Sequence, residues 1–322
     1  MCDSSIPLPD FDFDDFDDLD EITPFGNSFR TSPKCGFKAS INDLVKAFGF
    51  QLVTETAMKE TGNSCVYTAS ITSVGKTILG NGNIFDHNYQ QLPSNKYALK
   101  VSTSKSRMLK EFENYERLPK SSKLVESYDI FELNEYMILQ MELCKGDIYG
   151  ALLEEKIIWK LIHDISEALN IIHSSDFIHL DVSPSNILVK DNDFKLADFG
   201  NVIESGSFKE GDEGSGPYVA PEVLSFPGNK EIGYVHVWSA ADIFSFGVVL
   251  LESASGYFAP RGGTLMYEEL RKGNLKLGEG VFKCNCSMEL VSLINSMLNP
   301  DPIQRPTAWQ IMNHPYVKRL DS

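Results

Sequence analysis

Three oxygen-bearing side chains set the first question. Asp181 is followed five residues on by Asn186, and Asn186 twelve residues on by Asp198, within Ile178-His179-Leu180-Asp181-Val182-Ser183-Pro184-Ser185-Asn186 and Asp198-Phe199-Gly200. A carboxylate such as Asp181 can orient an attacking hydroxyl and accept its proton. An amide oxygen and a second carboxylate, Asn186 and Asp198, are hard donors suited to Mg2+. A base beside a divalent cation is the equipment of phosphoryl transfer, where the protein contributes positioning and charge rather than covalent chemistry. Asp-Phe-Gly alone is a weak signal. The ordered pair at this spacing is restrictive, with chance coincidence as its only competitor.

The elements that must position these groups follow from periodicity. Phe50, Leu52 and Val53, then Cys65 to Ile71, then Tyr97 to Val101 are rich in β-branched and aromatic residues and predict strands. Tyr128 to Phe131 and Tyr136 to Met141 predict two more, with a helix over Met108 to Leu118 between. After Gly146 the pattern turns helical: Ile158, Leu161, Ile162, Ile165, Leu169 and Ile172 keep the i, i+3, i+4, i+7 rule. Strands first and helices after predict an α+β chain with a small β-rich lobe and a larger helical lobe. Residues 73–95, rich in Gly, Asn and Gln, read as a long loop insertion.

Charge is distributed unevenly. The 322 residues carry a net charge of −16, but residues 1–29 hold nine acids and no Lys or Arg, which leaves the other 293 residues at −7. Neither part is the basic surface that grips nucleic acid, so no nucleic-acid partner is expected. Asp10 to Glu21 alternates acids with Phe11, Phe13, Phe16 and Leu19. Such a segment buries too little apolar surface to offset its ordering entropy, and residues 1–47 read as a solvated tail or a short interaction motif. Ile41 to Phe50 can form a short helix before the domain. Ser32-Pro33 is a minimal site for proline-directed phosphorylation. The start lacks a signal-peptide pattern, and the longest apolar run, Ile243 to Leu251, is too short for a membrane span and reads as a buried helix. Six scattered cysteines without a second pair to match Cys284-x-Cys286 predict free thiols rather than a zinc site, hence nucleus or cytoplasm.

The order and spacing of these residues resemble those of protein kinases, over about residues 50–317. Tyr97-Ala98-Leu99-Lys100 stands where such kinases place the lysine that meets the α- and β-phosphates of ATP. A carboxylate on the next helix must hold that lysine; Glu111 is the first candidate and Glu113 its competitor. The resemblance further implies that Ala220-Pro221-Glu222 closes an activation segment begun at Asp198, that Glu222 pairs with Arg305, and that Asp242 buttresses the catalytic loop. It makes Met141 the gatekeeper and residues 142–146 a hinge whose backbone near Glu142 and Cys144 meets the adenine edge. Val66, Ala98 and Leu188 would cover the adenine faces, with Met58 and Gly62 completing the nucleotide-binding set. The implied lobes are 48–141 and 147–318, in a domain over 48–318.

Finer detail resembles the Wee family of cell-cycle inhibitory kinases, including its Myt branch. Leu139 to Cys144, Ile178 to Val182 with Pro184 and Asn186, Ala241 to Gly247, and Pro260 to Gly263 followed by Glu269 to Leu275 carry it. The resemblance implies a monomeric, ATP- and Mg2+-dependent kinase that phosphorylates the glycine-rich loop of a cyclin-dependent kinase on Tyr or Thr and so delays mitosis. Most kinases have Arg at the place of Leu180, a charge settled by a phosphate on the activation loop. With Leu180, the segment is expected to order itself unphosphorylated.

Three departures qualify the match. Aligning Val66 with the valine of the glycine-rich loop puts Lys59, Thr61 and Ser64 at glycine positions, with Gly62 one place off. Backbone amides approach phosphate closest where no Cβ intervenes, so nucleotide binding is expected to weaken. Ser183 stands where Ser/Thr kinases and the Wee family have a phosphate-contacting Lys. The Gly-Asp pair expected before Ala220 aligns with Gly214-Ser215, and Gly211-Asp212 lies upstream, which leaves Tyr and Ser/Thr acceptors both open. A pseudokinase with a binding role, and an active kinase of another family, are the competing readings.

Overall fold

The computed structural model describes residues 41–54, 57–60, 64–72, 96–208, 214, 216–225, 235–258, 265–280 and 282–321. Five strands run side by side in the small lobe: β1 (Phe50–Leu52), β3 (Ser64–Ile71), β4 (Lys96–Ser102), β6 (Tyr136–Glu142) and β5 (Ser127–Leu133), in that spatial order, with β2 (Lys59–Glu60) also paired to β3. All pairs are antiparallel. Helix α2 (Lys105–Arg117) packs on β5 and β6.

The strand period of two decides what faces the cleft. On β4, Tyr97, Leu99 and Val101 enter an outer core with Cys65, Tyr67, Phe131 and Ile138. Their alternates, Ala98 and Lys100, must then point the other way, toward the large lobe. β6 divides alike: Tyr136 and Ile138 join the outer core, while Met137, Leu139 and Met141 face inward.

Helix α1 (Ile41–Lys46) buries Leu44 and Val45 in the outer core beside Phe50. The folded lobe therefore begins by residue 41, ahead of the tail boundary expected at residue 47. Residues 1–40, with Ser32-Pro33 and the acidic stretch, lie outside the described residues, as does the expected loop over 73–95.

The first sheet edge is irregular. Leu52 pairs with Ala69, and pairing resumes at Lys59 opposite Val66. Beyond Leu52, Val53 N–H donates to Thr68 O at 2.8 Å, and Met58 N–H donates to Val66 O at 2.7 Å just before β2 begins.

The large lobe is built on two long helices. In α3 (Glu155–Ser174) the predicted stripe is buried, and so are Trp159, Asp164 and Ser166 around it. After the short helix α4 (Pro221–Leu224), helix α5 (Val235–Ser255) is buried from Ile243 through Leu251, as its apolar run predicts. Short strands accompany them: β7 (Gly146–Asp147), β9 (Ile187–Lys190) and β10 (Asp193–Leu196) form one sheet, and β8 (Phe177–Ile178) pairs with β11 (Ile203–Glu204). Among the described residues no helix is long and apolar enough to cross a membrane. The described cysteines Cys65, Cys144, Cys284 and Cys286 are free thiols.

Candidate active site

The twelve-residue interval from Asn186 to Asp198 is a β-hairpin. β9 leaves Asn186 and β10 returns antiparallel, Ile187 opposite Leu196, so that Ala197 N–H donates to Asn186 O at 2.8 Å. The two proposed metal donors are brought to the same end of the hairpin by register alone.

Asp181 is held from several sides. Asp242, fully buried on α5, accepts from His179 N–H and Leu180 N–H, both at 2.8 Å, and its Oδ2 also meets His173 Nε2 at 2.8 Å. Leu180 takes a left-handed φ of 61°, costly for a branched side chain and tolerated where hydrogen bonds over-determine it. Asp181 N–H donates to His179 Nδ1 at 3.2 Å, and the same ring lies 3.2 Å from Ala197 O through Nε2, which places its proton on Nε2. Asn186 Nδ2 then donates to Asp181 O at 2.9 Å and to Asp181 Oδ2 at 3.1 Å. Asn201, which the sequence reading missed, donates to the same Oδ2 at 3.2 Å. These contacts aim one carboxylate and leave the Asn186 carboxamide oxygen facing the cleft.

Lys100 reaches across the roof of that cleft. Its ammonium lies 2.9 and 2.7 Å from the Glu111 oxygens and 3.3 Å from Asp198 Oδ2. Helix spacing separates the two candidates for its partner: Glu111 is buried toward Lys100, and Glu113 is exposed. Burial works against the Lys100 charge, but Asp198 and Glu111 outweigh it and hold its pKa above the ordinary lysine value. Burial likewise opposes the Asp198 carboxylate, yet Lys100 and Lys59 hold it down to about 2. Asp198 has a left-handed φ of 66°. Phe199 is buried behind it, 4.6 Å from the Tyr115 ring and 5.5 Å from His179. Asn114 Nδ2 donates to Phe199 O at 2.7 Å and Val202 O at 3.1 Å, tying α2 to this turn. Asn114 and Tyr115 gave no signal in the sequence, because their partners lie some 85 residues away.

Met58, Val66, Ala98, Lys100, Glu111, Met141, Glu142, Cys144, Asn186, Leu188 and Asp198 line one cleft between the lobes. Gly62 lies outside the described residues, as do Thr61 and Ser215. The cleft is apolar where Val66, Ala98, Met141 and Leu188 meet and ionic at the Lys100–Asp198 end. That is the profile of a nucleotide: a flat base between apolar walls and phosphates against cations. The paired oxygen donors of Asn186 and Asp198 fit a divalent cation there.

Glu142 needs a narrower role than expected. Its carboxylate pairs with Lys190 and Lys195 and accepts from Glu126 N–H at 2.8 Å, while its own N–H donates to Glu126 O at 2.9 Å. The side chain fastens the hinge to β9 and β10, and its N–H is already engaged. Burial pushes the Cys144 thiol up to about 12, so it is a packing group rather than a nucleophile.

The segment after the site is clamped by side chains. Glu222 and Arg305 form a two-pronged pair at 2.6 and 2.9 Å, with the Arg305 side chain at 0% exposure. Arg271 donates to Val219 O at 2.8 Å, Gly216 O at 2.7 Å and Pro217 O at 3.0 Å. At Gly214 a Cβ would stand 1.9 Å from Leu180 O, so only glycine lets this segment lie on the loop bearing Asp181.

Lys59 holds the least expected position. Its ammonium donates to Ser185 O at 2.9 Å and to Asn186 Oδ1 at 3.1 Å, crossing from the roof of the cleft to its floor. Ser183 is buried, 3% exposed.

Comparison with known proteins agrees with this geometry. A family model described as protein kinase domain matches residues 83–317. The chain is 35% identical over 240 residues to a membrane-associated tyrosine- and threonine-specific cdc2-inhibitory kinase of Drosophila melanogaster, covering 70% of this chain and 43% of that relative. It is 33% identical over 196 residues to a Wee1-like protein kinase of Oryza sativa, covering 58% and 34%. It is 30% identical over 236 residues to the mitosis inhibitor protein kinase mik1 of Schizosaccharomyces pombe, covering 66% and 39%. The chain spans less than half the length of these three relatives.

Proposed function

Because this chain belongs to the protein kinase family, similar within it to the Wee kinases, we propose that it transfers the γ-phosphate of ATP to a protein hydroxyl and restrains mitotic entry by acting on a cyclin-dependent kinase. The observation that carries the reading is the joined ionic set: Lys100 on Glu111 and Asp198, with Asn186 on Asp181. Each group is in reach of the next, so this fold brings the catalytic constellation together.

Asp181 would orient the acceptor hydroxyl and take its proton. Lys100, kept charged and aimed by Glu111, would bind the phosphates. Asn186 and Asp198 would hold Mg2+, which when bound neutralises phosphate charge. Val66, Ala98 and Leu188 would cover the base, with Met141 at the back and Met58 at the mouth. We propose a monomer, since every member of the ionic set comes from one chain. We propose the nucleus or cytoplasm as its compartment, where free thiols such as those of Cys65 and Cys144 persist.

A pseudokinase reading draws on two observations: Ser183 carries no charge, and Lys59 touches the Asn186 oxygen a metal needs. One assay separates the readings. A cyclin-dependent kinase is supplied in three forms, intact and with the Tyr or the Thr of its glycine-rich loop replaced. Transfer that disappears with one replacement supports the proposal and names the acceptor. Transfer reduced but not abolished by each replacement names both as acceptors, transfer undiminished in all three forms points to an active kinase of another family, and none to any form points to the pseudokinase.

A further inference from the structure

Sheet register puts Lys59 in the cleft by construction. Lys59 pairs with Val66, and Val66 pairs with Lys100. Residues directly across antiparallel strands project to the same face, so these three form one cross-strand row looking down on the large lobe. The row carries two ammonium groups. Lys100 is neutralised by Glu111 and Asp198, at 2.7 and 3.3 Å. Lys59 meets only neutral oxygens, those of Ser185 and Asn186, and among the described residues no carboxylate is in direct ion-pair contact with it. It is a part-buried cation with no direct ion pair among the described residues, close enough to Asp198 to favour that carboxylate's charge, at the end of the cleft where the metal donors converge.

The same spot lacks two features a triphosphate site uses. The position of Lys59 forgoes the close backbone approach that glycine allows, and Ser183 brings no charge from the floor. An ammonium on a flexible stem, entering from the roof, supplies what both omit.

We propose that Lys59 is a phosphate-contacting residue of the nucleotide site. Its ammonium rests on Ser185 O and Asn186 Oδ1. When a nucleotide enters, Lys59 exchanges these neutral acceptors for phosphate oxygens and frees the Asn186 oxygen for the cation. The exchange is favourable because charge-assisted hydrogen bonds are stronger than neutral ones. This rests on the nucleotide reading given above, and deepens it.

The test is the dependence of affinity on phosphate count, measured by calorimetry on the full chain with adenosine, MgADP and MgATP. Lys59→Met keeps the apolar stem and removes the charge. It should weaken MgATP by about tenfold, MgADP by less, and leave adenosine within about twofold. Lys59→Arg should retain most of the MgATP affinity. Unchanged adenosine binding also certifies that the variant is folded, and Lys59→Gln repeats the measurement should Lys59→Met misfold. An equal loss for adenosine and MgATP, or no loss for either, overturns the proposal while the nucleotide site stands. A wild-type chain that binds none of the three overturns the nucleotide reading and this inference with it.

Discussion

The floor and the roof of the cleft are built on opposite terms. On the floor, backbone is fixed by buried side chains: Asp242 takes two N–H groups, Asn186 binds across Asp181, and Gly214 fits only because it has no Cβ. On the roof, pairing to β3 stops at Leu52 and resumes at Lys59, and Lys59 and Ser64 stand in place of glycines. A base and two metal donors need fixed angles, so the floor tolerates little change. Phosphate oxygens need positive charge nearby and accept it from backbone or from a side chain. The roof can therefore be rewritten, with an ammonium doing what amides do elsewhere.

Four substitutions or treatments probe that contrast. The largest effect is expected on the floor. Asp181→Asn should lower the turnover rate by about 10²–10⁴-fold while leaving the MgATP dissociation constant unchanged, since the amide keeps the shape and loses the base. A loss confined to nucleotide affinity would move Asp181 from chemistry to binding. Next comes Glu222→Gln, which strands the buried Arg305 guanidinium and should destabilise the fold by about 3–5 kcal/mol in urea titration. A change below about 1 kcal/mol would mean that the carbonyls of Ala240, Asn299 and Pro300 suffice for Arg305.

How much of this contrast could be read from the chain alone divides along the same line. The floor was legible because its signals are local: Asp181, Asn186 and Asp198 are placed by one loop and one hairpin, and their spacing survives in the sequence. The strands and the α3 stripe were legible from periods of two and 3.6. Glu111 was already the first candidate over Glu113, and the face α2 turns to the sheet supplies the reason. Asn114, Tyr115 and Asn201 went unread since each acts through a partner fixed only by tertiary packing. The roof was read as a loss, glycines replaced. Its gain, a lysine crossing the cleft, is visible only once Lys59 is set opposite Val66 and Val66 opposite Lys100. Helix α1 was read as a helix yet left in the tail, because nothing local says that Leu44 and Val45 find a core.

The third probe asks whether roof and floor share one supply of charge. In the Lys59→Met background, Ser183→Lys should restore about tenfold in the rate at limiting MgATP, and in the wild-type chain it should add less than about twofold. Equal gains in both backgrounds would show that the two positions serve different groups. The smallest effect is expected on the segment beyond the floor. Arg271 already holds the carbonyls of Gly216, Pro217 and Val219, and Leu180 has no charge to settle. Phosphatase treatment should therefore leave the rate unchanged, as followed by initial velocities before and after. A drop to the level of Asp181→Asn would show that a phosphate, not Arg271, orders that segment.

The central claim is that the assembled ionic set performs transfer. Its most direct measurement is ATP-dependent phosphorylation of a cyclin-dependent kinase by the intact protein, beside Lys100→Met and Asp198→Asn controls. The account predicts phosphate on the glycine-rich loop with the wild-type protein and none with either control. Incorporation by the wild-type protein no greater than by Asp198→Asn would contradict it.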